Sequence, residues 1–131
     1  MIPMLVQDGD LVFLLDPNGK KLWFKAGEGM LKVPSLGAID GSKILGKEDG
    51  STVTVAGKEF ILYLPGTVDL MESLDRGAQI ITPKDAATIL LKCDVRAGKK
   101  VLEVGAGSGG LTTALLSAVA PTGRVHTIEF K

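Results

Sequence analysis

The 131-residue sequence predicts an α+β chain built from two unlike parts: a small β-barrel-like domain over residues 1–66, then the opening of a parallel α/β domain over residues 67–131. Two observations carry this. From Asp10 to about Pro65 apolar and polar residues alternate and are punctuated by tight-turn residues, the rhythm of antiparallel strands. From Asp69 the rhythm turns helical, and the stretch "KVLEVGAGSGGLTTALLSAVAPTGRVHTIEF" reads as strand, glycine turn, helix, turn and second strand. Strand–helix–strand of that length is a crossover unit with parallel strands.

In the β part, "DLVFLLD" is a strand and "KLWFKA" its returning partner. The "PNGK" between them holds Asn18-Gly19, a pair suited to positive φ in a hairpin turn. "STVTVAGKEFILYLP" is a second hairpin. Val53 and Val55 alternate with threonines, Gly57-Lys58 supply the turn, and Phe60, Leu62 and Leu64 alternate with Ile61 and Tyr63. The intervening "VPSLGAIDGSKILGKEDG" predicts a short strand and loops, and the strands together a small barrel or curled sheet.

In the second part, "TPKDAATILLKC" predicts a helix. Thr82 is its cap, Pro83 opens the first turn, and Asp85 stands three residues after the cap. Ile89, Leu90 and Cys93 form its apolar stripe, and "RAGKK" ends it.

The glycines of "EVGAGSGG" are Gly105, Gly107, Gly109 and Gly110. Directly after a strand they let the backbone turn sharply and let a ligand approach the main chain with no Cβ in the way, while the next helix offers unpaired N–H groups. Gly105, Gly107 and Gly110 satisfy the G-x-G-x-x-G of dinucleotide sites. Glu103 and Gly109 add the pattern E-x-G-x-G-x-G, which favours S-adenosyl-L-methionine over a nicotinamide or flavin. Its methionine end carries an ammonium that Glu103 can help to hold, directly or through water. Glu129 ends the second strand about 20 residues past the glycines, where a ribose-binding acid belongs; it would repel a 2′-phosphate.

Composition narrows the remaining classes. Hydrophobic residues make up 45% of the chain, enough for a core. Lys+Arg and Asp+Glu are both 15, so net charge gives no strong non-specific hold on nucleic acid, although Lys20, Lys21, Lys25, Lys43 and Lys47 could form a local basic face. A single cysteine excludes an intrachain disulfide and a cysteine zinc cluster, and fits a reducing cytoplasm. No apolar run reaches membrane-spanning length and no signal-peptide layout opens the chain, so no membrane partner and a cytoplasmic location are expected. His126, the only histidine, is expected to be structural or solvent-facing, Cys93 to be core, and at least one of Trp23 and Phe24 to be core rather than a base-stacking surface. Asp85 is explained by capping, whereas Lys84 has no structural reason in the pattern. No metal site is expected.

Beyond these patterns, the sequence resembles the tRNA (adenine-N1) methyltransferases that modify a T-loop adenine. "RGAQIITPKDAATIL" is similar to the segment before that family's core, "VLEVGAGSGGLT" to its cofactor motif, "PTGRVHTIEF" to its second strand, and "SLGAIDGSKILGKEDGS" to a loop of its small N-terminal β-domain. The isoaspartyl and precorrin methyltransferases share the glycine motif but not "ITPKDAA" with this leader. The resemblance implies a Rossmann-like class I methyltransferase domain using S-adenosyl-L-methionine. It implies that Ile81 lies against the cofactor, that Ser108, Gly109 and Gly110 contact its methionine end with Gly105 and Gly107, and that Glu129 binds its ribose. Two positions depart: Thr82 stands where the family often has tyrosine, and Asp40-Gly41 where it often has histidine.

The resemblance covers the family's N-terminal portion and cofactor segment. In that family the acid for the adenine ring and the catalytic aspartate follow later, so no catalytic residue is assigned here. The expectation is a fragment, one part of a split protein or a truncated product, inactive alone, whose open strand edges pair with another copy or with a separate polypeptide. The competing readings are a non-catalytic module derived from that family that binds RNA or a protein partner, and another class I methyltransferase of isoaspartyl or precorrin type.

Overall fold

The computed structural model describes residues 2–74 and 81–130. The chain divides into two compact units, Met1–Pro65 and Gly66–Lys131.

The first unit is antiparallel. Strands β1 (Leu11–Leu15), β2 (Lys21–Lys25), β5 (Thr52–Val55) and β6 (Lys58–Tyr63) form a four-stranded sheet in the order β2-β1-β6-β5. Period-two alternation sorts its faces. Val12, Leu14, Leu22, Phe24, Val53, Val55, Phe60 and Leu62 share one buried cluster, which Val6, Ala26, Val33, Ile39 and Ile44 complete. Phe24 is thus core; Trp23, on the other face, is half-buried with its ring 4.9 Å from that of Phe13. The first hairpin turns as its residues predict. Gly19 has φ +84, and the Asp16 carboxylate accepts the N–H groups of Asn18 and Lys20, both at 2.8 Å.

Three details differ from the sequence reading. The second hairpin turns on Ala56-Gly57, at φ +51 and +77, and Lys58 already lies in β6. Positive φ at both central residues is the turn that suits the twist of a two-residue hairpin, and it shifts the turn back by one position. The middle stretch belongs to a further hairpin of β3 (Met30–Val33) and β4 (Gly37–Asp40), followed by a short 3-10 turn at Gly41–Lys43. Among the described residues these strands form two separate sheets and no closed barrel. The Asp40 carboxyl caps the 3-10 turn and is held below the usual carboxylate range, first by the backbone N–H of Ser42, at 3.0 Å, and then by its hydroxyl.

The second unit contains α1 (Thr67–Glu72), α2 (Pro83–Lys92), β7 (Lys100–Val104), α3 (Gly110–Val119) and β8 (Arg124–Ile128). β7 and β8 pair in parallel, residue for residue from Lys100↔Arg124 to Val104↔Ile128. Met71 of α1, Ala86 of α2 and Ala114 of α3 form its buried cluster, with Ile81, Leu90 and Leu111 packed around it.

Helix α2 starts as predicted: the Thr82 hydroxyl accepts the Asp85 N–H at 3.3 Å and Pro83 occupies the first turn. Thr82→Ala is expected to cost about 1 kcal/mol, read from thermal melts, whereas Thr82→Ser should cost little because it keeps the oxygen. The end of α2 differs from expectation. The helix stops at Lys92, before "RAGKK", through a local closure in which Asp94 takes φ +52, its N–H bonds Leu91 O, and the Val95 N–H bonds Leu90 O at 2.9 Å. Cys93 is the capping residue of that closure. It therefore leaves the helical face and is exposed, not core.

Candidate cofactor site

The site forms where β7 ends. The parallel ladder is extended by one bond, from the Gly105 N–H to Ile128 O at 2.7 Å. The chain then turns through three left-handed residues, Gly105 at φ +82, Gly107 at φ +56 and Gly109 at φ +87, and the turn is closed by the Gly109 N–H on Ala106 O at 2.9 Å. An L side chain rarely adopts such angles, and this is the physical reason for glycine here. Space is not: a Cβ built on any of the three would meet nothing within 4 Å, so the backbone is open for close approach. Gly110, buried, is the first residue of α3, and Ser108 lies half-buried in the turn before it.

Two carboxylates flank this turn. Glu129 follows the last residue of β8 and is exposed. Its Oε2 accepts the Gly107 N–H at 3.1 Å, which ties the acid directly to the glycine turn. Glu103 is buried within β7, at 6% exposure. Its Oε1 accepts the hydroxyls of both Thr112, in the first turn of α3, and Thr127, its register partner on β8 at 3.1 Å. The turn thus brings together Glu103, the glycines, Ser108 and Glu129. Ile81 is placed differently: it packs against the same cluster as Leu111 of α3's first turn.

Sequence reasoning missed Thr112 and Thr127. The signal was available, because an in-phase parallel pairing of "KVLEV" with "RVHTI" puts Thr127 beside Glu103. His126 is exposed on β8, where it pairs with Leu102. Among the described residues no group of histidine, cysteine, aspartate and glutamate could hold a metal ion, and no helix is long and apolar enough to cross a membrane.

The arrangement supplies an exposed carboxylate for hydroxyls, a buried carboxylate beneath the turn, and open main chain between them. That donor set fits a nucleoside carrying a cationic tail better than one carrying a pyrophosphate.

Comparison with known proteins identifies the family. The family described as tRNA methyltransferase complex GCD14 subunit matches residues 59–131. The tRNA (adenine(57)-N(1)/adenine(58)-N(1))-methyltransferase of Methanocaldococcus jannaschii is 31% identical over 118 residues, covering 90% of this chain and 41% of that protein. The tRNA (adenine(58)-N(1))-methyltransferase of Thermus thermophilus is 31% identical over 119 residues, covering 90% of this chain and 47% of that protein. Among solved structures, an S-adenosylmethionine-dependent O-methyltransferase from Thermotoga maritima superposes with a TM-score of 0.72 at 27% identity, covering 94% of this chain and 46% of that one. The tRNA (m1A58) methyltransferase of Aquifex aeolicus superposes with a TM-score of 0.62 at 30% identity, covering 94% and 47%. The chain spans less than half the length of these relatives. With a matched segment that runs from β6 through the glycine turn to the end of β8, the chain belongs to the family of the tRNA methyltransferase complex GCD14 subunit.

Proposed function

We propose that this chain is the N-terminal and cofactor-binding part of a tRNA adenine-N1 methyltransferase that takes its methyl group from S-adenosyl-L-methionine. The observation that carries this reading is family membership over the segment that holds the open glycine turn and both flanking carboxylates. The Methanocaldococcus jannaschii and Thermus thermophilus relatives are named for adenine 57 or 58 of tRNA, which makes tRNA the substrate of choice.

In this reading residues 67–131 belong to a Rossmann-like class I domain and residues 1–66 to a small barrel-like β-domain. When bound, the cofactor supplies an activated methyl on a sulfonium centre. The chain's own residues position it. Glu129 accepts ribose hydroxyls through the carboxylate oxygen not engaged by Gly107. The main chain of Gly105, Gly107, Gly109 and Gly110, with Ser108, lines the methionine end, and Ile81 provides an apolar wall. Glu103 offers the negative charge for the ammonium. On the β-domain, Lys43 and Lys47 line a shallow depression with Ser42, Thr52 and Thr54, a donor set suited to the phosphates of tRNA. In this reading the protein works in the cytoplasm.

The test is methyl transfer to an unmodified tRNA transcript, with the product located at N1 of an adenine and tRNA binding that weakens steeply as salt rises. Methylation of isoaspartyl peptides with none of RNA would overturn the reading.

A further inference from the structure

Among the described residues Glu103 is the only charged or polar one that is buried, and it lies inside a strand. A carboxylate so placed needs hydrogen-bond donors, because burial without them is costly. The structure gives it two, and both go to the same oxygen. Thr112 reaches Oε1 from α3, and Thr127 reaches it from the neighbouring strand at 3.1 Å. No hydrogen bond to Oε2 is made among the described residues. Two donors converging on one oxygen, from two different elements, fix the rotation of the carboxylate more tightly than one donor could. They leave the other oxygen with its full acceptor capacity.

A purely structural acid would gain most by satisfying both oxygens. Two threonines, rather than apolar β-branched residues, are spent on holding this one in a single orientation. Thr112 sits two residues past Gly110, so its hydroxyl belongs to the first turn of the helix that follows the glycines. Thr127 stands two residues before Glu129, and it faces Glu103 because the ladder runs in register.

We propose that Thr112 and Thr127 are positioning residues. By clamping Oε1 of Glu103 they present Oε2 to the ammonium of the cofactor's amino-acid end. This rests on the S-adenosyl-L-methionine reading given above. It adds to that reading a division of labour within the site. Glu129 selects the nucleoside, and the clamped Glu103, at the methionine end that the glycines line, selects a ligand that carries a charged amine.

Two ligands separate the roles. S-adenosylhomocysteine has both ends, whereas 5′-methylthioadenosine keeps the nucleoside thioether and lacks the amino-acid end. In titration calorimetry on the protein, Thr112→Val and Thr127→Val should each weaken S-adenosylhomocysteine by about tenfold, the loss of a charge-assisted contact, while methylthioadenosine changes by less than about twofold. Thr127→Ser, which keeps the hydroxyl, should restore the affinity for S-adenosylhomocysteine. Equal weakening of both ligands would mean that the threonines only hold the fold, and unchanged binding of both would mean that the clamp is idle; either overturns the proposal. Failure of the unsubstituted protein to bind S-adenosylhomocysteine at all would instead remove the cofactor reading on which the proposal stands.

Discussion

Glu129→Ala is expected to weaken S-adenosylhomocysteine binding by about 1–3 kcal/mol, the usual loss when a carboxylate no longer accepts hydrogen bonds from a ligand's hydroxyls. The side chain is exposed at the end of β8, and Gly107 holds one of its oxygens, so it meets a ligand already oriented. The same substitution also removes the Gly107 tie and should loosen the glycine turn. Glu129→Gln distinguishes the two contributions, because its amide oxygen can still accept the Gly107 N–H while the negative charge is gone. Calorimetry should rank the unsubstituted protein first, Glu129→Gln second and Glu129→Ala last. Unchanged affinity in Glu129→Ala would take this residue out of the site, and tighter binding of NAD than of S-adenosylhomocysteine would sink the methyltransferase reading.

Leu62→Ala should unfold the first unit more readily than any surface change. Leu62 is fully buried in β6, between β1 and β5, with Leu14 as its register partner. Its N–H donates to Ser51 O at 2.9 Å and its carbonyl accepts from Gly50 at 2.8 Å, so the backbone cannot easily collapse into the space left behind. Removing a leucine side chain from such a site costs about 2–5 kcal/mol. Ile61→Ala, one residue away but on the opposite face and 37% exposed, should cost less than about 1 kcal/mol. Trp23, the single tryptophan, lies in this sheet and reports its unfolding by fluorescence in urea. Equal losses for the two variants would show that the sheet's two faces are not divided as the structure has them.

Much of the fold was legible in the sequence because its signals are local. Apolar runs about a turn marked β1 and β2, and alternation over β5 and β6 marked those strands and their buried side. Asn18-Gly19 marked a turn that requires positive φ, and Thr82-Pro83 marked a helix start. The misreadings are also local in origin. Gly57 was paired with the residue after it rather than before it, because an alanine at φ +51 carries no mark in the sequence. The end of α2 was placed at "RAGKK" because Asp94 supplies the left-handed residue that glycine usually would. Cys93 was then counted on a helical face that it had already left. The hairpin of β3 and β4 was half-seen, since its glycine-rich return strand resembles loop.

By itself the sequence determined the two outer hairpins of the first unit, the start of α2, the strand–turn–helix–strand unit and the placing of Glu103, the glycines and Glu129 around it. Each of these follows from neighbours within a few residues, or from a motif whose glycines have no substitute at positive φ. Only the tertiary structure decided that the first unit's strands divide into a four-stranded sheet and a separate hairpin, and that Gly107 holds Glu129. It alone decided that Thr112 and Thr127 converge on one oxygen of a buried Glu103. Those facts depend on register between strands and on the rotation of a helix against them. Both are set by packing across the chain, which no stretch of sequence encodes alone.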